Sequence, residues 1–223
     1  MIDGSGVARG PDPEAPKTAL GGRWGEAARL TEVNRRGRWG SHSAAMAGED
    51  DVNKARFDKA MTFSQYLGTV DSHRDLWHGV HERVRLPEDV VADAAAIPGA
   101  WHLLALSEDW CGDAVNTLPV IARLAERVGW DFRVLGRDDN PDLMDSHLTD
   151  GRSRSIPIVI VYDGRFDEVG WWGPRPGEIQ AWVMGEGLSM TSADRYRVVR
   201  TWYARDRGRT TLAEILDIVR AAV

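Results

Sequence analysis

The stretch SEDWCGDAVNTLP, Ser107 to Pro119, decides how this chain is read. A short apolar run, WHLLALS from Trp101 to Ser107, leads into it. Beyond it, Val115, Leu118, Ile121, Ala122 and Leu124–Ala125 recur on one side of a helical pattern from Gly112 to Val128. A strand running into a helix puts Trp110, Cys111 and Gly112 at the turn between them. Cys111 is the only cysteine in 223 residues. No intramolecular disulfide can form, and the position three residues on is Ala114.

The same alternation of periods continues outward. FRVLG (132–136) reads as a second strand, and Asn140-Pro141 begins a short helix reaching His147 and Leu148. IPIVIVYD (156–163) is a third strand, Asp163-Gly164 a hairpin turn, and FDEVGWW (166–172) its antiparallel partner. Pro174 to Gly187 supplies a further helix. Two parallel strands joined through a helix require a right-handed crossover and give a layered α/β domain. Upstream, Phe63, Leu67, Val70, Trp77, Val80 and Val84 form one helical face, and Leu86-Pro87-Glu88-Asp89 opens a second helix that Pro98-Gly99 stops. Downstream, Ser192 caps a helix running to Gly208, and Thr211 to Glu214 reads as a capping box for the last helix. The expected organisation is a disordered extension over 1–55, helices over 60–97, a central domain over 98–187, and a helical pair over 190–223 packed on it.

Composition sets the class. Hydrophobic residues make up 43% of the chain and charged residues 28%, the balance of a soluble globular protein. A net charge of −6 argues against a dedicated nucleic-acid binder. No run approaches the roughly 18 apolar residues of a membrane span. The first residues lack the apolar core of a signal peptide. The expected compartment is a reducing cytoplasm, where a lone thiol stays free.

Four positions together resemble the thioredoxin fold: DWCGDA (109–114), Pro119 eight residues after the cysteine, DDNP (138–141), and SRSIPIVIVYDG (153–164). The likeness covers about residues 98 to 187. Trp-Cys-Gly-Asp taken with VGWWGPRP (169–176) and WYARDRGRTT (202–211) is similar to a group of bacterial thioredoxin-like proteins. The resemblance implies an α/β thioredoxin-like fold, a central mixed sheet flanked by helices, with extra helices at both ends. It implies a cis Pro157 facing Cys111, and an Ile156 backbone that pairs with bound peptide. Three departures count against dithiol turnover. Ala114 stands where the resolving thiol belongs, the strand before the loop offers only apolar residues and a serine in place of a buried aspartate, and the usual lysine aligns near Val134.

What remains is a thiol at a helix start, whose free N–H groups favour the thiolate. Glu108, Asp109 and Asp113 oppose that with negative charge, while Arg137, Arg152 and Arg154 lie in loops directed to the same edge. Asp113 also suits the first helical turn. Of Trp171 and Trp172, strand alternation sends one to the core and leaves the other to wall a groove. Two readings follow. In one, Cys111 exchanges disulfides with a protein or low-molecular-weight thiol, which needs an accessible, acidic thiol. In the other, a non-catalytic module holds an extended peptide or ligand between Trp110 and Pro157. No cofactor motif is present. His73, His78 and His81 share a helix, but no HExxH or cysteine partner makes them a metal set. RYRVVRTWYARDRGR (195–209) reads as an amphipathic helix with arginines outward, a grip on RNA or phosphate being the alternative.

Overall fold

The computed structural model describes residues 49–223. Most of the segment expected to be disordered therefore lies outside the described residues. Its last part is helical: α1 spans Glu49–Lys59. The helix has almost no apolar period because one ring anchors it. Phe57 is 1% exposed and stands edge-on to His102 and Phe166. Asn53 donates to the Phe166 carbonyl, and Arg56 forks onto Asp142.

Five strands form one mixed sheet in the order β1-β3-β2-β4-β5. They are β1 (Met61–Thr62), β2 (His102–Ser107), β3 (Asp131–Gly136), β4 (Ile158–Tyr162) and β5 (Glu168–Trp172). β2 and β3 run parallel through the crossover helix α5 (Gly112–Val128), while β4 is antiparallel to both β2 and β5. β4 is buried along its whole length, and β2 at every residue but His102, which accounts for their unbroken apolar texture. The register pairs Leu106 with Ile158. Because the two strands are antiparallel, the end of β2 lies beside the start of β4. The Glu108–Cys111 turn is thereby carried to the Ile156–Pro157 step.

The helical face read from Phe63 to Val84 is two helices, α2 (Phe63–Thr69) and α3 (Arg74–Arg83). Thr62 and Gln65 form a capping box that starts α2. The break between them is held from outside: the Asp109 carboxylate accepts the N–H groups of Asp71 and Ser72, each at 2.9 Å. The Trp77 indole N–H donates to the Asp109 carbonyl at 2.8 Å. This elbow therefore fixes the turn that carries Cys111. α4 (Glu88–Ala95) follows, and α6 (Pro141–Asp145) is shorter than its sequence pattern, ending before His147.

The C-terminal half holds α7 (Gly177–Met184), a 3-10 turn (Glu186–Ser189), α8 (Ser192–Asp206) and α9 (Arg209–Arg220). Two capping expectations are corrected here. Thr191, not Ser192, caps α8 by accepting the Asp194 N–H at 3.2 Å. α9 starts two residues before Thr211, and Asp206 serves its first turn by accepting from the Thr210 N–H and hydroxyl. Glu214 is thus free of capping. It accepts from the Trp172 indole at 2.7 Å and the Gly177 N–H at 2.8 Å, tying α9 to the end of β5 and the start of α7.

Candidate functional site

Cys111 is the N-cap residue of α5, in extended conformation; its side chain makes no capping hydrogen bond, and the nearby N–H groups of Asp113 and Ala114 favour its thiolate. The residue is only 6% exposed. Its thiol donates to the Ile156 carbonyl at 3.3 Å. That bond requires the thiol proton, since a thiolate has nothing to donate and would face the negative end of the carbonyl dipole. The Ile156–Pro157 peptide is cis, and so is Gly173–Pro174 in the loop after β5. These loops touch. A Cβ on Gly173, whose φ is +134°, would fall 2.1 Å from the Pro157 carbonyl oxygen. Only glycine allows that approach, and the approach delivers Arg175 to the start of α5.

Asp113 is the centre of what gathers there. It is 7% exposed, its carboxylate lies 2.6 Å from an Arg175 Nη, and it accepts the Tyr203 hydroxyl of α8 at 3.1 Å. Arg175 also donates to Gln180 at 2.9 Å. Burial pushes the Asp113 carboxyl above the ordinary aspartate range, although Arg175 and Tyr203 pull it down. Burial, reinforced by Asp113, pushes the Tyr203 phenol well above its usual range. The Cys111 thiol moves the same way. Its burial, with the Asp113 charge, outweighs the helix N–H groups and Arg175, and the thiol titrates above an ordinary cysteine. The sign left open by the sequence is upward.

A family model described as thioredoxin matches residues 60–195. The chain belongs to the thioredoxin family. Among solved structures, a protein of unknown function from Pseudomonas aeruginosa aligns with a TM-score of 0.60 and 19% identity, over 75% of this chain and 96% of that one. An HIV epitope-scaffold aligns with a TM-score of 0.61 and 17% identity, over 76% and 98% of the two chains. At these identities the likeness establishes the fold alone. No curated protein matches the chain.

Within this thioredoxin-like fold, the other residues singled out from sequence have separate tasks. Glu108 accepts the Asp138 N–H at 2.9 Å. Asp109 faces the α2–α3 elbow; burial opposes its charge, but the N–H groups of Asp71 and Ser72 outweigh that and hold its carboxyl low. Arg137 bonds Asp138 and the Arg154 carbonyl, and its guanidinium lies 5.2 Å over the Trp110 ring. Arg154 pairs with Asp145, and Arg152 is exposed. The cation that balances Asp113 is therefore Arg175. Trp110 is 49% exposed at the lip of the turn. Trp172 is buried on Glu214, and Trp171 stands edge-on to His147. Gly112 is exposed at the helix start, Ala114 is fully buried beneath it, and Pro157 is buried against the Gly173 loop. Ser107, where the family pattern has a buried acid nearby, ends β2 with its hydroxyl 3.4 Å from that of Tyr66. The buried acid of this site is Asp113, supplied by the helix.

Arg175 and Tyr203 were missed as site residues. Tyr203 is ninety positions from its partner, a separation that periodicity cannot bridge. The available signal was their place inside VGWWGPRP and WYARDRGRTT, the two strings outside the core domain motifs. Among the described residues, no cluster of three or more His, Cys, Asp or Glu is arranged to hold a metal ion. No described helix is long and apolar enough to cross a membrane.

Proposed function

We propose that this thioredoxin-family chain acts as a binding module for an extended polypeptide and keeps Cys111 as a neutral, packed thiol. The observation that carries the reading is the Cys111 thiol itself, buried, raised in pKa, and donating its proton to Ile156. A monothiol catalyst needs an accessible thiolate near neutral pH, and burial removes both conditions. The binding reading needs only the edge. Trp110 offers a half-exposed indole backed by Arg137, the type of rigid aromatic surface that anchors interfaces. Among the described residues, the Ile156 N–H has no main-chain acceptor, so an added strand would find a free donor there once the buried Ile156 step is uncovered. The expected partner is a protein segment, met in a reducing compartment.

Carboxymethylated, reduced α-lactalbumin, an unfolded chain without thiols, is a suitable probe. It should bind wild type and Cys111→Ser alike, and Trp110→Ala should weaken it. Binding that requires the Cys111 sulfur would overturn the reading. Monothiol exchange is the second reading, favoured by the helix N–H groups and Arg175 around the sulfur. In it the thiolate attacks a disulfide, one partner sulfur leaves as thiolate, and a small cellular thiol then releases Cys111. That route requires the Ile156 bond to open first.

A further inference from the structure

A second surface, sharing no lining residue with the Cys111 site, lies where the α3–α4 link meets the α8–α9 turn. It is an open groove of about 770 Å³ lined by Arg85, Leu86, Pro87, Ala204, Arg205, Asp206, Arg207 and Arg209. Four arginines face one aspartate. The acids nearby are already engaged. Asp206 serves the first turn of α9 through Thr210, Asp89 is forked onto Arg209, and Glu88 pairs with Arg127 at 3.7 Å. Among the described residues, Arg85, Arg205 and Arg207 have no carboxylate within salt-bridge distance, whereas most arginines elsewhere on this acidic chain do.

The backbone adds an independent observation. Arg207 closes α8 in the left-handed region, φ +55°, where glycine or asparagine is the ordinary choice. The next residue shows why the turn cannot relax. A Cβ on Gly208 would come 2.4 Å from Val120, so the turn is seated against α5. An arginine thus sits at a position that disfavours any residue with a Cβ, and its charge lies beside Arg205 and Arg85, neither paired with a carboxylate, although Arg85 donates to the Glu82 and Val84 carbonyls. Guanidinium forks suit phosphate oxygens, and the lining holds no aromatic ring on which a base could stack.

We infer that this groove binds the phosphate groups of a small soluble ligand. The test is calorimetric titration of the full chain with inorganic tripolyphosphate at low ionic strength. Saturable one-site binding is expected, weakened about ten-fold or more in the Arg205→Gln/Arg207→Gln double variant, a change of about 1.4 kcal/mol. Arg165→Gln, on the β4–β5 turn and outside the groove, should bind as wild type does. Arg207→Gly separates function from folding: it should melt at the same or a higher temperature, because glycine suits the backbone, yet bind more weakly. The inference fails if no saturable binding appears, if Arg165→Gln loses as much, or if Arg207→Gly binds like wild type. Phosphatidylglycerol vesicles serve as the second arm. Binding to them that depends on the same arginines and is not displaced by tripolyphosphate would assign the groove to lipid headgroups and overturn the soluble-ligand inference.

Discussion

Arg175→Met is the most informative perturbation of the thiol pocket. It removes the cation 2.6 Å from Asp113 and keeps much of the side-chain volume. The Asp113 side chain is 9% exposed and that of Arg175 21%. Deleting one partner of a buried pair costs about 3–5 kcal/mol, and the partial exposure of Arg175 places this case near 3 kcal/mol. The loss depends on pH with a definite sign. Asp113 already titrates above its ordinary range, so the native state holds its proton more tightly than the unfolded chain does. Stability therefore falls as pH rises through the window between the ordinary aspartate value, about 3.9, and the native one. Without Arg175 the native value climbs and the window widens upward. Urea unfolding of wild type and variant at about pH 8 and about pH 5 should then give a smaller difference at the lower pH. The double variant Asp113→Asn/Arg175→Met should recover most of the loss. Equal losses at both pH values, or a loss below about 1 kcal/mol at the higher one, would refute the buried pair as the organising contact.

Gly173→Ala should cost about 3 kcal/mol or more in urea melts, combining an unfavourable φ with a clash against Pro157; a change under about 1 kcal/mol would contradict the tight loop contact. His147 is 3% exposed and bonds Glu168 at 3.1 Å; burial opposes its charge, but Glu168 outweighs it and raises its pKa. That pairing adds stability below the ordinary histidine range and loses it as pH rises through the native value, so Glu168→Gln should destabilise more at about pH 5.5 than at about pH 9. With thioredoxin reductase, the chain should not turn over insulin disulfides, because Ala114 offers no resolving thiol; sustained turnover would refute the single-thiol account.

Four of the five strands, the crossover helix and the Ile156–Pro157 step were legible in the sequence because each is a local pattern: an apolar run, a helical period, a proline after isoleucine; the two-residue β1 is too short to show one. The family resemblance ordered them and aimed Cys111 at Pro157. What sequence could not supply was the third dimension of the pocket. Arg175 reaches Asp113 because glycine at 173 lets two loops close, and Tyr203 arrives from α8, ninety residues along the chain. α1 escaped notice because a single phenylalanine holds it. The Thr211–Glu214 motif misled because the same residues that make a capping box can serve a tertiary contact, and here Trp172 and Gly177 claim the glutamate.

Native alkylation reads the state of the Cys111 thiol. Iodoacetamide reacts with the thiolate, so the rate at Cys111 followed across pH reports both the pKa and the access of the sulfur. A buried thiol bonded to Ile156 should react far more slowly than free cysteine from about pH 6 to about pH 8.5, and denaturant should restore the ordinary rate. Rapid native labelling at about pH 6.5, with an apparent pKa below that of free cysteine, would contradict the packed-thiol account and return Cys111 to the role of nucleophile.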